Sequence, residues 1–299
     1  MKRLNIYNDL KKLCKGLFIK KNYDLKDYNS YKIPAKVFLF IEPKNLEEVL
    51  KVCKYLQENK QKFVVLGNGS NILFLKPEDK IVLRLSNKFA NIFVNDNKIT
   101  AYSGASLNAI ISIAKQNNLK GIEDGVGIPG TIGGAVTMNV SAYSFEISKI
   151  VRSVVAIIDG KVKIFEKKDC LFDYRKSIFQ KLDAVVLRVE LELEKDNNFN
   201  FQERINFIIN KRMESQPLKE NSAGSVFKNL GEIKVAKLIE DAGLKGFSIG
   251  GAKVSGKHSN FIVTNNATAE DVYNLISYIK KVIKKKYNLK LETEIKIIK

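Results

Sequence analysis

Residues 125–139 read GVGIPGTIGGAVTMN, and the first six match G-x-G-x-x-G, the turn that opens a dinucleotide-binding βαβ unit. No other stretch bears so directly on which folds are open to the chain. A Rossmann turn needs a buried strand before its first glycine and a helix opening at its last. Here residues 116–124, QNNLKGIED, are polar and break off a helix, and Gly133 and Gly134 stand where a first helical turn belongs. Pro129 also biases Ile128 away from helical dihedrals. The flanks argue against a Rossmann turn on both sides. What remains is a long uncharged loop whose bare backbone a ligand can approach closely. Its Val126, Ile128, Ile132, Val136 and Met138 are unlike the polar make-up of an ordinary surface loop, which favours a ligand cradle.

A chain of 299 residues with 45% apolar content has room for two domains. No apolar run approaches a membrane span, and the opening MKRLNIYNDLKKLC lacks the apolar core of a signal peptide. Cys14, Cys53 and Cys170 are scattered, and His258 is the single histidine. No metal site and no Ser-His triad is expected, and the thiols suit a reducing cytoplasm. The net charge of +19 raises nucleic acid as a partner. Only seven of the 51 basic residues are arginine, however, and arginine is the side chain suited to bidentate phosphate and base contacts. The lysines are spread out, dense only at 280–286, with no zinc-finger, zipper or RNP-like pattern. A solvated basic surface is the better reading, compatible with an anionic substrate.

Asn45 begins a capped helix with Leu46, Val49, Leu50, Cys53 and Leu56 at helical spacing. Residues 62–66 read as a buried strand ending at Gly67-Asn68-Gly69-Ser70-Asn71, and short strands are expected at 72–75, 81–85, 91–95 and 98–103. Ser106 caps a helix over 107–118. Residues 150–158 and 162–165 form a hairpin around Asp159-Gly160, a strong turn pair, and 185–193 alternates as a strand. Beyond a break at 195–198 come a helix over 200–214, a Gly/Ser segment at 222–231, and a helix ending near Gly243. A strand at 260–264, a helix from Thr268 to about Asn288 and a final alternating strand over 289–298 complete the pattern. Strands and helices mix without regular βα alternation, which predicts an α+β architecture with a boundary near residue 196.

Three further motifs carry candidate chemistry. GAKVSGKH, 251–258, resembles a phosphate-binding P-loop, but His258 replaces the magnesium-binding hydroxyl and a strand-like run follows, so ATP and GTP are excluded. Gly67-Asn68-Gly69-Ser70-Asn71, directly after a buried strand, suits a nest of backbone N–H donors around a phosphate. With the loop at 125–134 it can hold one ligand with a pyrophosphate and a flat ring, and uncharged walls suit a flavin. Arg175 stands beside Tyr174 in a chain poor in arginine, where a surface salt bridge is the plain alternative. Ser225 can equally cap a helix or shape a turn, and Glu294 shares a wet strand face with Lys290, Glu292 and Lys296.

Seven stretches in register resemble the UDP-N-acetylenolpyruvoylglucosamine reductases, the MurB enzymes. They are LGNGSNIL (66–73), GIPGTIGGAVTMNVSAYSFEI (127–147), FDYRKSIF (172–179), QP with SAGSVFKN (216–229), IEDAGLKG (239–246), GGAKVSGKHSNFIVTNNATAEDV (250–272) and LETEIKII (291–298). The resemblance implies an α+β chain with a two-lobed FAD-binding region of the vanillyl-alcohol-oxidase type. An N-terminal segment, 1–30, would precede that region at 31–196 (lobes about 31–88 and 89–196), and a substrate-binding domain at 197–299 would follow. It implies noncovalent FAD held by Gly67, Asn68, Gly69, Ser70 and Asn71 and by Gly127, Ile128, Pro129, Gly130, Thr131, Gly133 and Gly134. NADPH is the co-substrate, and the substrate is a UDP-sugar enolpyruvyl ether. Arg175, Ser225 and Glu294 take the positions of the catalytic arginine, serine and glutamate, and Tyr174, Lys228 and Asn229 fall at substrate-binding positions. A cytoplasmic monomer is expected, with no nucleic-acid partner and no membrane insertion. The family's Gly-Gly pair is absent where Asn29-Ser30-Tyr31-Lys32-Ile33 runs into Pro34-Ala35. The short spacing from Arg175 to Ser225 resembles the subclass without an inserted tyrosine loop. A flavin oxidase of the same superfamily is the alternative.

Overall fold

Parallel strands need a crossover connection, usually a helix, and the run KVFLFIE at Lys36–Glu42 begins such a unit. The structure, a computed structural model, describes residues 2–182 and 184–299. Its chain divides into two units. The first comprises residues 1–22, 38–68 and 80–209; the second comprises 23–37, 69–79 and 210–299. Neither is continuous in sequence.

The first unit holds two sheets. In the smaller, strands run in the order Phe18–Asp24, Lys36–Glu42, Ile81–Arg84, Phe63–Leu66, and Ile81–Arg84 pairs in parallel with both of its neighbours. The helix Leu46–Glu58 makes the crossover, capped by Asn45, whose side chain accepts from the Glu48 N–H. Its Val49, Val52, Cys53 and Leu56 are buried with Ile6 and Leu10 of the helix Lys2–Leu13. That first helix and the strands Phe18–Asp24 and Lys36–Glu42 were not legible in the sequence pattern.

The larger sheet is antiparallel, in the order Lys161–Glu166, Val151–Ile158, Val185–Glu192, Lys98–Tyr102, Ile92–Asn95. Asp159 and Gly160 turn its hairpin with φ of 50° and 72°, as expected of an Asp-Gly pair. The helix Leu107–Gln116, capped by Ser106, shares this sheet's core through Ile110, Ile111 and Ala114.

In the second unit, the strands Asn221–Ser225, Phe261–Thr264, Ala252–Val254 and Ser248–Ile249 form one antiparallel sheet. The helix Ala269–Tyr287 packs Val272, Leu275, Ile276, Ile279 and Ile283 into its core. Thr268 and Asp271 close a reciprocal cap at that helix's start, as its Thr-x-x-Asp spacing predicts. Ile72–Phe74 pairs in parallel with Lys296–Ile298. The regular strand expected over 289–298 is confined to those last three residues. Among the described residues, no helix is long and apolar enough to cross a membrane, and no group of three His, Cys, Asp or Glu residues could hold a metal.

Glu42 ends its strand 4% exposed, receiving Arg84 Nη1 at 2.5 Å and Lys88 Nζ at 2.6 Å. Burial alone pushes its carboxyl up, but the Lys88 hydrogen bond and the charges of Arg84 and Lys88 outweigh this and hold it below the ordinary glutamate value. A depressed carboxyl stabilises the fold above its unfolded-state pKa and loses that contribution as pH falls through its folded value. Glu42→Gln should therefore cost about 1–3 kcal/mol near neutrality. Urea unfolding of the two proteins should converge at strongly acidic pH; a gap constant with pH would contradict this.

Candidate active site

The strand Phe63–Leu66 delivers the chain into the loop 67–71. A β-carbon at Gly67 would stand 2.7 Å from Thr131 Oγ1, so only bare backbone lets this loop lie against the second glycine loop. Gly69 has φ of +64°, and a β-carbon there would fall 2.0 Å from the Tyr28 carbonyl oxygen. Its own carbonyl accepts from the Ser30 N–H at 3.0 Å. Tyr28 and Ser30 flank Asn29, which is 5% exposed and organises the segment running into Pro34-Ala35. Its amide donates to Leu25 and Ile33 carbonyls at 2.8 Å each, and its oxygen accepts from the Ile33 N–H at 3.2 Å. At the loop's end Asn71 donates to the Glu294 carbonyl at 3.3 Å and accepts from the Lys296 N–H at 3.0 Å.

The second loop leaves a 3-10 turn, Glu123–Gly125, and enters the helix Ile132–Met138. The sequence reading expected Gly133 and Gly134 to forbid a helix there. A seven-residue helix forms all the same, with the Thr131 side chain accepting from the Gly134 N–H. Gly133 earns its place by packing, since a β-carbon would stand 2.7 Å from Ser103 Cβ. The Rossmann exclusion stands on the upstream side, where the strand Leu119–Lys120 has two residues and pairs antiparallel with Glu194–Lys195. Gly127 and Gly130 take φ of 74° and 145°, and the Gly127 N–H donates to Asn108 Oδ1 at 3.0 Å. The Ile132 N–H donates to Ala105 O at 2.8 Å and the Gly133 N–H to Ser103 O at 3.0 Å. Among the described residues, the buried Ser103 hydroxyl has no hydrogen-bond partner. Bare backbone, apolar walls and an orphan hydroxyl fit a ligand that brings polar atoms of its own. Ser103, Asn108 and the Gly67–Thr131 contact carried no signal in the sequence.

Arg175 lies in a tight turn closed by Asp173 and Lys176, with φ of 55°. A left-handed non-glycine residue persists only where its surroundings hold it. Here they do: the Asn139 amide donates to the Asp173 carbonyl at 3.0 Å, and Gln180 Nε2 donates to the Arg175 carbonyl at 3.0 Å. Ser177 Oγ donates to the Thr137 carbonyl at 2.7 Å. Asn139 and Thr137 belong to the end of the helix that begins at the glycine loop, so loop and turn share one rigid support. Arg175 Nη1 donates to Ser141 Oγ at 2.6 Å, and its guanidinium lies 5.6 Å from the Tyr174 ring centroid.

In the second unit Ser225 ends the strand Asn221–Ser225, opposite Phe261, after a register irregularity at which Gly224 has φ of 75°. It is thus a strand residue beside a bulge, neither of the two roles its sequence suggested. The chain continues antiparallel to 292–294: the Glu294 N–H donates to Val226 O at 2.8 Å, and the Lys228 N–H to Glu292 O at 2.9 Å. This juxtaposes the segments bearing Ser225, Lys228 and Glu294. The Lys228 ammonium pairs with Glu292 at 2.5 Å, and Asn229 Oδ1 accepts from the Val235 N–H at 3.1 Å. Asn260, 5% exposed, grips Phe227 through both carbonyl and N–H at 2.8 and 3.0 Å. It was another residue the sequence did not single out.

The family model described as UDP-N-acetylenolpyruvoylglucosamine reductase, C-terminal domain, matches residues 216–298, which hold Ser225 and Glu294. The FAD binding domain model matches 38–163, which hold both glycine loops. The UDP-N-acetylenolpyruvoylglucosamine reductase of Caldanaerobacter subterraneus subsp. tengcongensis is 40% identical over 98% of each chain. The chain belongs to the UDP-N-acetylenolpyruvoylglucosamine reductase family. The reductase of Clostridium novyi is 39% identical over 94% of this chain and 92% of its own length. The solved MurB structure from Thermus caldophilus superimposes with a TM-score of 0.79 at 29% identity, covering 95% of this chain and 99% of that one.

Because a β-carbon at Gly69 would collide with a backbone oxygen, Gly69→Ala should cost more than the roughly 1–3 kcal/mol of ordinary overpacking. Gly256→Ala, whose β-carbon would meet no described residue within 4 Å beyond its two chain neighbours, should stay within about 0.5 kcal/mol of the parent. Urea midpoints of the two variants check this, and equal midpoints would refute it.

Proposed function

We propose that this MurB-family chain reduces the enolpyruvyl ether of UDP-N-acetylglucosamine-enolpyruvate to UDP-N-acetylmuramate, using NADPH and noncovalent FAD, as a cytoplasmic monomer. The observation that carries this reading is family likeness across 98% of both chains, including every segment that bears a candidate residue. The loops at 67–71 and 127–134 would hold the flavin, which supplies a hydride relay from NADPH to the substrate's β-carbon.

The chain's own residues then have a defined task. Hydride addition to the β-carbon leaves negative charge on the α-carbon and its carboxylate, which fixed cationic donors stabilise. Arg175 is assigned that role, and the turn that fixes its backbone supports it. Ser225 is assigned as the proton donor to the α-carbon. A serine is a weak acid, so it works only against a strongly basic carbanion and away from bulk water. Glu294 is assigned to the same centre; the pairing of its N–H with Val226 O sets it beside the Ser225 segment. Tyr174, Lys228 and Asn229 are assigned to the substrate, with Lys228 and Asn229 toward the diphosphate and uracil.

The purified protein should be yellow and release its flavin on denaturation; flavin retained by the acid-precipitated chain would refute noncovalent binding. Ser225→Ala should still take up FAD, accept hydride from NADPH and bind the UDP-sugar. Reoxidation of its reduced flavin by substrate should slow by about 10²–10⁴, with Ser225→Cys retaining more than Ala. Normal stopped-flow reoxidation in Ser225→Ala would remove Ser225 from the mechanism. Arg175→Lys keeps charge but loses the planar donor fork, so reoxidation by substrate should slow more than flavin reduction by NADPH. Equal slowing of the two half-reactions would sink that assignment.

A further inference from the structure

A carboxylate stands at the root of the uncharged glycine loop. Asp124 lies in the 3-10 turn Glu123–Gly125 and is 6% exposed. Arg204, on the helix Phe201–Ser215, meets it with two parallel bonds, Nε to Oδ1 at 2.6 Å and Nη2 to Oδ2 at 2.5 Å. The Ser144 hydroxyl also donates to the carboxylate. Burial alone would push the Asp124 carboxyl up, but Arg204 and Ser144 more than offset this and keep it below the ordinary aspartate value.

Stability alone is a poor reason for such a pair, because apolar residues of similar volume commonly serve as well at buried positions. Its place in the chain suggests another. The loop from Gly125 to Thr131 contains glycines at 125, 127 and 130, two with positive φ, and glycine backbones lose the most freedom on ordering. The far end is fastened by bonds from Ile132 and Gly133 to Ala105 and Ser103, and the middle by Asn108 on Gly127. At the near end, the bonds from Gly125 to Ile122 O and from Val126 to Glu123 O shape the turn, and the buried Ile122 roots it in the core. Asp124 adds the polar tie, anchoring the turn to a separate helix. The same root is backed by Phe145, whose ring would lie 3.1 Å from a β-carbon at Gly125.

We propose that Arg204 and Asp124 form a clasp that holds the glycine loop in its flavin-binding conformation before FAD arrives, Arg204 being a positioning residue for the cofactor. This rests on the flavin reading above. Ordering a loop in advance lowers the free-energy cost of binding, so breaking the clasp should show chiefly as faster cofactor release.

The experiment follows FAD release from the purified full-length holoprotein, by the rise in free-flavin fluorescence on dilution, beside the urea midpoint of each variant. Arg204→Ala should release FAD about tenfold faster or more, and Arg204→Lys and Asp124→Asn, which better preserve the fold, should fall between it and the parent. Glu42→Gln is the control. Glu42 is 4% exposed and pairs with Arg84 and Lys88 in the smaller sheet, and its substitution should leave FAD release unchanged at a comparable shift in midpoint. Asp124→Asn with Arg204→Ala should release FAD no faster than the faster single variant. Clasp variants that release FAD at the parent's rate, or only in proportion to a midpoint loss that speeds release equally in Glu42→Gln, would overturn the clasp alone. A parent protein that carries no flavin would overturn the flavin reading and the clasp with it.

Discussion

At several glycines in this chain a neighbour lies so close that no side chain fits, and the arrangement of the site follows from those contacts. A β-carbon would fall 2.0 Å from the Tyr28 carbonyl at Gly69, and 1.9 Å from the Ser86 carbonyl at Gly104. At Gly67 and Gly133 it would meet Thr131 and Ser103 at 2.7 Å. Those four positions bring strand ends and loop roots closer than any alanine would allow. The chain thereby presents peptide edges, rather than side chains, to whatever lies against them. Peptide edges carry no net charge, which suits the neutral ring of a flavin and leaves its phosphates to N–H donors.

Legibility in the sequence followed the range of the interaction. Local rules worked where one residue settles the geometry: Asn45, Ser106 and Thr268 cap their helices as placed, and Asp159-Gly160 turns its hairpin. They failed where distant packing decides. Gly133 and Gly134 sit in a helix because Ser103 leaves room only for glycine at 133 and Thr131 closes the first turn. The last alternating run becomes a short strand preceded by a bridge, because Phe227 pairs with Thr293 while Lys296–Ile298 turns to Ile72–Phe74. Family resemblance supplied the candidate residues themselves, since nothing in the periodicity around Ser225 or Glu294 distinguishes them. Their supporting contacts, such as Ser141 on Arg175 and Asn260 around Phe227, join residues more than 30 positions apart and leave no local pattern.

The charge distribution also divides into two kinds. Many of the lysines stand in solvent in pairs such as Lys51 with Glu47 and Lys237 with Asp241, contributing little each. The few arginines do structural work out of proportion to their number. Arg84 joins Lys88 on the buried Glu42, Arg204 forks onto Asp124, and Arg175 is held by a turn. A planar fork is preorganised for a carboxylate in a way that a lysine point charge is not. The basic composition is therefore a poor guide to partners, while the individual arginines mark the places where geometry matters.

The second unit is assembled from residues 23–37, 69–79 and 210–299, and this sets an order of events during synthesis. Ile72–Phe74, buried once the unit is complete, has its parallel partner at Lys296–Ile298. The Tyr31 carbonyl likewise receives its hydrogen bond from Thr264 Oγ1. Both early segments must wait on the ribosome while about 200 residues emerge, at a rate of roughly 5–20 residues per second. For ten seconds or more, on that scale, an apolar strand edge is left without its mate and open to wrong pairing. The nascent chain thus has a vulnerable interval that the finished fold conceals, and its length is written into the distance between residues 74 and 296.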